Sequence, residues 1–371
     1  MQAIFGYSAH KDTEKAFSEC CRGIPEGTPS CVFLWLNPGY DLDFLAESIR
    51  AKGWSKVLAA TTGGILDQGR YRTRGMSLTA LYSNELEVET WLVDDLQQPE
   101  ESLQTISRRV ERRYQNKPFG REMFATLLVD GLASREEEIT NQLYPLLGQV
   151  PLIGGSAGDG LNFQKTFVYF DGQFRRNSAV VALFETSTPF RIFKFQHHQP
   201  TSSKLVVTGT VSGERVVTGL NGRSAGVALS QVTGIPLDEL SPEALSANSL
   251  ALKIGDELYV RAVHTLDADH SLKTFCAMEQ GSVLTLVRSH QPAETLAQQF
   301  DQLESDLGSL SFVLSFDCIL RRLEFERRGC VSEIEQQLQR VPTTGFCTYG
   351  EQYNALHVNQ TMVGVAFANA N

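Results

Sequence analysis

The chain has 371 residues, 42% hydrophobic and 20% charged, which is a globular composition with apolar content for a full core and length for two domains, or three. A formal net charge of -10 argues against a nucleic-acid surface. The densest basic runs, Arg108–Arg113 and Arg321–Arg328, are broken by Glu111, Glu324 and Glu326 and read as solvated helix faces.

In chain order, three segments share one plan of apolar strand, helix, second strand and Gly-rich turn. The first runs from "CVFLWLNPGYD" through "DFLAESIRAKG" to "VLAATTGG". The second runs from "FATLLVDGL" through "EEEITNQLYPLLG" to "VPLIGGSAGD". A β-hairpin follows in "KTFVYFDGQFRRNSAVVALFE", turning at Asp171-Gly172, and "FRIFKFQHHQP" is a strand ended by Pro200. "SKLVVTGTVSGERVVTGLNGRSAGVALSQVTG" gives hairpin strands, an Asn221-Gly222 turn and a helix stopped at Gly234-Ile235-Pro236. The stretch "ELYVRAVHTLDADHSLKTFCAMEQGSVLTLVRS" predicts three further strands. The third unit runs from "SFVLSFDCILRRLEFE" through "VSEIEQQLQR" to "VPTTGFCTYGE".

The last two units match in detail. Glu138-Ile139 and Gln142-Leu143 echo Glu333-Ile334 and Gln337-Leu338, and Val150-Pro151 echoes Val341-Pro342. Each proline precedes Gly154 or Gly345 by three residues, and the turns end Gly158-Asp159 and Gly350-Glu351. Apolar residues at helical spacing pack one helix face on a sheet, and nearly continuous apolar strands are those covered on both faces. The expected fold is α+β, built from α/β units with mixed sheets and an internal duplication. Its two domains are expected over 1–200 and 201–371.

Met1 to Ser30 carries no signal-peptide pattern, and runs such as Cys31–Leu36 and Val363–Ala368 are too short to span a bilayer. Seven cysteines with no CxxC pair fit a reducing cytoplasm and argue against a structural zinc site.

The stretches "AATTGGILDQG", "PLIGGSAGD", "SFDCILRR" and "TTGFCTYGEQYNALHVNQT" resemble the signature stretches of FIST-domain proteins, an N-terminal FIST domain followed by a FIST C-terminal domain. The resemblance covers roughly Ser30 to Phe367. It implies a sensory module that binds a small ligand. "DCILRRLE" and "GEQYNALHVNQT" are similar to a stand-alone subgroup of nitric-oxide-sensing haemoproteins (NosP), implying haem, nitric oxide and a separate sensor histidine kinase as partner, with a homodimer left open. One departure is the basic loop that follows the first Gly-rich turn, in "TTGGILDQGRYRTRG".

A haem needs an axial donor, and neutral imidazole is the usual one for a gas-binding haem. His10 and His270 sit in polar stretches and His290 precedes Pro292 in a loop. His197 shares a strand face with Phe193 and Phe195, and His264 with Leu258, Val260 and Ala262. His357 lies in the most recognisable motif and is placed first as the iron ligand; His197, His264 and the thiolate Cys347 stay open, as does Cys318, whose thiolate Arg321 and Arg322 would favour. The expected site combines His357 with Tyr349, Glu351, Cys318, Arg321, Gly345 and Gly350 at the carboxyl edge of the third unit. The same polar groups suit an amino-acid-like ligand: Arg321 for a carboxylate, Glu351 or Asp159 for an amine, and backbone N–H groups at the glycines. The competing structural reading has Asp159 and Glu351 capping turns and Arg321 pairing with Glu324 on a helix surface. No G-x-S-x-G, H-E-x-x-H or G-K-[ST] motif occurs. A thiol-dependent enzyme using Asp317, Cys318 and His357 is the remaining alternative, and no enzymatic activity is expected.

Overall fold

The computed structural model describes residues 1–245 and 247–369. All three repeated units read from the sequence are present, and each builds a six-stranded mixed sheet. In each, two strands run parallel across a covering helix: Cys31–Leu36 with Val57–Thr61, Glu122–Val129 with Leu152–Ser156, and Leu310–Cys318 with Thr343–Thr348. These strands are almost wholly buried, as parallel strands between a core and a helix layer must be. The helices Thr13–Cys20 and Leu42–Ala51 start where short polar side chains satisfy free N–H groups: Asp12 accepts from Lys15 N at 2.9 Å and Asp41 from Phe44 N at 3.0 Å.

The units are laced together in a ring. The hairpin after each second strand leaves its own sheet and pairs beside the second strand of another. Strands Ile65–Asp67 and Arg70–Arg72 dock beside Thr343–Thr348, Val168–Phe170 and Gln173–Arg175 beside Val57–Thr61, and Glu351–Tyr353 and Leu356–Val358 beside Leu152–Ser156. The chain then returns antiparallel to its own first strand through Met76–Tyr82, Ala179–Thr186 or Met362–Ala368. Leu86–Val93 and Phe190–Phe195 pass on to edge the next sheet, and Gln2–Ser8 takes the same place in the first.

The inner faces of the three sheets meet in one apolar core that includes Phe33, Trp35, Phe124, Phe184, Phe312, Phe316 and Phe346. Phe124 stacks on Phe184 and Trp35 packs on Phe346, each at 4.7 Å between ring centroids. Each such ring contributes about 1.5–3 kcal/mol by leaving water. Outside, each sheet is covered by two helices: Thr13–Cys20 with Leu42–Ala51, Glu100–Gln115 with Glu136–Leu146, and Pro292–Leu307 with Val331–Leu338.

The third unit is interrupted between Phe190–Phe195 and Pro292–Leu307 by a separate eight-stranded antiparallel sheet. Its first strand, His198–Thr210, and its last, Val283–Ser289, pair with each other, so the chain enters and leaves at one place. Residues 200 and 201 lie within His198–Thr210, and all three mixed sheets draw strands from wide separations along the chain. The helix expected before Gly234 is Ala225–Thr233, closed by Gly234 at φ 75°. Where three strands were expected after residue 256 there are four: Glu257–Arg261, Val263–Leu266, Leu272–Thr274 and Val283–Ser289. The apolar run breaks at Ala262, whose N–H turns to Asn359 Oδ1 at 3.4 Å instead of a strand partner.

Gly154 and Gly345 hold the same place in their sheets. Gly154 pairs with Leu127 on one side and Gln352 on the other, and Gly345 with Ser315 and Leu66. A Cβ at either would collide with a backbone carbonyl oxygen of the neighbouring strand, that of Leu127 or Ser315. Backbone in a central strand yields little. Gly345→Ala should therefore cost about 1–3 kcal/mol, as overpacking does. Urea unfolding would check this; an unchanged midpoint would mean that the strands separate freely there.

Candidate functional site

The inserted sheet leans over the carboxyl ends of the second and third units' parallel strands, the edge where such sheets hold ligands. Between them lies a cleft of about 510 Å³. The body contributes the loop from Gly131 to Glu136, Phe163 and Tyr349, and the inserted sheet contributes residues 213–216, His264 and the segment Lys273–Phe275.

Asp159 shapes the body's side of this wall. Its carboxylate accepts from the backbone N–H groups of Phe163, Gln164 and Lys165 at 2.7–2.8 Å and from the Tyr349 hydroxyl. Burial alone would raise its pKa, but these hydrogen bonds hold it below the usual carboxylate range. The capped loop presents Phe163, stacked on Tyr349 at 4.6 Å and edge-on to His264 at 5.6 Å; His264 in turn meets Phe275 at 4.7 Å. Burial, then the Lys273 charge, lowers the His264 pKa, which leaves a neutral imidazole at pH 7. Charge is fixed beside the rings. Arg215 bonds Glu136 at 2.5 Å and Glu137 at 2.6 Å, joining the inserted sheet to the helix Glu136–Leu146. An aromatic body and a charged group could both be received here.

Of the residues expected from sequence, Tyr349 lines the cleft, and it packs with Cys318 and Cys347 in one apolar cluster. Both thiols are buried, which pushes the Cys347 pKa to about 12 and that of Cys318 well above its ordinary value. Neither is an activated thiolate. Glu351 lies beneath, fully buried, accepting from Thr361 N at 3.2 Å, Thr361 Oγ1 at 2.8 Å and Thr348 Oγ1. Burial raises its pKa to about 8.

Arg321 faces away from the cleft. It sits on the helix Ile319–Arg328 but is buried, and its partners are Asp317 at 2.7 Å and His197 Nδ1 at 3.0 Å. The expectation of an Arg321–Glu324 surface pair is corrected: Glu324 bonds His197 Nε2 at 3.0 Å. Gly345 lies inside its strand, and Gly350 leaves room for the His357 ring, which a Cβ there would strike.

His357 does not fit the role of haem ligand. It is 2% exposed, lies outside the residues lining the cleft, and has Gln352 Nε2 at 3.3 Å from its Nδ1 and the Gly350 backbone against its Cε1–Nε2 edge. No porphyrin face can approach either nitrogen. His197 is committed to Arg321 and Glu324, whereas His264 alone among the weighed histidines borders the cleft. Nor do Asp317, Cys318 and His357 form a Cys–His–Asp group, because Asp317 is held by Arg321 and Tyr71.

Phe163, Phe275, Arg215 and Glu136 were not anticipated. Three successive acids at 136–138 read as an ordinary helix start, and "SGERVV" as an ordinary hairpin. An adjacent pair of charges in a tight turn, Glu214-Arg215 between Gly213 and an apolar strand, was the signal available.

Comparison with curated proteins gives no match. The FIST N domain matches residues 30–223 and the FIST C domain residues 225–354. The N-terminal match ends inside the inserted sheet, and the C-terminal one spans the rest of that sheet and most of the third unit. Matched over more than half its length, the chain belongs to the FIST family, whose domains are sensory and bind small ligands.

Proposed function

We propose that the cleft between the inserted sheet and the three-unit body is the sensing site, and that its ligand is amino-acid-like: an apolar or aromatic body with charged ends. The carrying observation is the contiguous wall of Phe163, Tyr349, His264 and Phe275 beside Lys273 and the Arg215–Glu136 pair. Rings of this kind supply apolar contact and fixed charges orient the polar end. Occupancy changes how the inserted sheet seats on the body, and a separate cytoplasmic histidine kinase reads that surface by contact, from a monomer or a homodimer.

The haem reading is supported by one observation, the neutral His264 imidazole between Phe163 and Phe275 in the cleft wall. Bound haem would supply an iron centre for nitric oxide. On this reading His264 holds the group and the flanking rings exclude water from it.

Titration calorimetry with the twenty amino acids and a haem titration separate the two. The expected result is saturable binding of at least one amino acid, weakened about tenfold, ~1.4 kcal/mol, by Phe275→Ala. If haem is the ligand instead, the ferrous complex shifts its Soret band on adding nitric oxide, and His264→Ala abolishes the complex while His357→Ala retains it. Absence of saturable binding in both titrations would overturn the assignment of the cleft.

A further inference from the structure

Behind the cleft, three metal-ligating side chains from distant parts of the chain converge. Glu137 belongs to the helix Glu136–Leu146, Cys276 follows the inserted strand Leu272–Thr274, and His357 lies in the exchanged hairpin. One carboxylate oxygen, the Cys276 sulfur and one imidazole nitrogen lie within 4.8 Å of one another. Cys276 and His357 are buried, and among the described residues His357 Nε2 has no hydrogen-bond partner. An enclosed ring nitrogen left unpaired forfeits its solvation without return, so something absent from the polypeptide is expected to meet it.

We propose that Glu137, Cys276 and His357 bind a thiophilic d10 cation, Zn2+ or Cu+, at the seam between the inserted sheet and the body. Sulfur, imidazole nitrogen and carboxylate are the donor types such ions take, and a set of three leaves a fourth position. Tetrahedral coordination spaces ligand atoms about 3.3–3.6 Å apart, so closing from the present spacing needs side-chain shifts of about an ångström.

The surroundings orient the donors. Glu137 accepts from Ala277 N at 2.8 Å and from Arg215, while Cys276 donates to Asn359 Oδ1 at 2.8 Å. Arg215 is shared with Glu136, so the Glu137 charge is not wholly cancelled. On binding, the Cys276 S–H bond breaks, its proton passes to the buffer, and the sulfur's electron pair forms the bond to the metal. The His357 proton moves from Nε2 to Nδ1, where the Gln352 amide turns its unpaired Oε1 to accept it, and frees the Nε2 lone pair for the cation. No electron transfer is involved. Cysteine spacing carries no sign of this site because its ligands come from residues 137, 276 and 357.

The test is a Co2+ titration of the full chain without haem. A thiolate ligand produces a sulfur-to-cobalt charge-transfer band, expected at one equivalent, lost in Cys276→Ser and retained in Cys330→Ser, and displaced by Zn2+. Elemental analysis after anaerobic competition between Zn2+ and Cu+ then identifies the preferred cation. Alkylation of the wild-type chain in urea just below its unfolding midpoint, where the buried Cys276 is intermittently exposed, followed by mass spectrometry gives a readout independent of whether Cys276→Ser folds: Zn2+ should slow the labelling of Cys276. Absence of a charge-transfer band, a band that survives Cys276→Ser, or no protection would overturn the site and leave an ordered water as the partner of His357.

Discussion

Replacing Arg321 by methionine should lower the unfolding free energy by about 3–5 kcal/mol, the usual cost of removing one member of a buried ion pair. Arg321 is fully enclosed, donates to Asp317 and to His197 Nδ1, and stacks its guanidinium on Phe325 at 5.2 Å. Because Arg321 donates to Nδ1, the His197 proton sits on Nε2 and is given to Glu324. Without Arg321, Asp317 keeps the Tyr71 hydroxyl but no positive partner, and the His197 tautomer is no longer fixed. Asp317→Asn in the Arg321→Met background should restore part of the loss, since no buried charge is then left unpaired. Urea unfolding of the two variants checks both statements; a loss under about 1 kcal/mol would mean that water already reaches Asp317. The network also ties the helix Ile319–Arg328 to the two crossings of the inserted sheet, through His197 at its entry and Ser289 at its exit, which hydrogen-bonds Glu324. Weakening it should loosen the sheet and widen the cleft.

The contribution of Glu351 to stability should fall as pH rises from about 4.5 to 8, contrary to the usual behaviour of a buried carboxylate with a cationic partner, while the lowered pKa values of His197, His264 and His357 act in the opposite sense below about 6.5. Glu351 has its folded-state pKa raised from 4.5 to about 8, first by burial. Between those values the folded chain keeps a proton that the unfolded chain has lost. The favourable contribution is therefore complete below about pH 4.5 and disappears as pH climbs through 8, with a slope of up to ~1.4 kcal/mol per pH unit from this one group. The protonated carboxyl has an acceptor in Thr348 Oγ1, which can itself donate toward the Asp317 carbonyl at 3.5 Å. Glu351→Gln keeps the shape without the titration. The difference in stability between wild type and Glu351→Gln should narrow or reverse from pH 8 down to pH 5; a difference independent of pH would show that Glu351 stays ionised.

The three-unit plan was legible because it rests on long apolar strands and helices with clear periodicity, "CVFLWL" and "FATLLV" among them. The equivalence of Gly154 and Gly345 was legible for a steric reason, since each faces a carbonyl that admits no side chain. The circular exchange of hairpins was not. Ile65–Asp67 and Arg70–Arg72 are three residues each, too short to carry a period, and pairing with residues 344–346 is set by tertiary packing. Tyr349 was found because its motif ends a parallel strand. Arg321 was placed on the wrong side because one turn of helix after Cys318 carries it inward toward Asp317 and His197, a direction that reading Arg321–Arg328 as a solvated helix face could not supply. Arg215, Phe163 and Phe275 come from segments with ordinary local patterns, and only the seating of the inserted sheet brings them together.

The most direct test of the cleft as the sensing site is ligand-induced stabilisation of the full chain against that of Leu132→Trp, a substitution that fills the cleft from its body side. With an amino acid or haem at a hundredfold excess over its Kd, the wild type should gain about 2.7 kcal/mol. Leu132→Trp, folded by circular dichroism, should gain almost nothing. Equal stabilisation of both chains would place the ligand elsewhere and contradict the account.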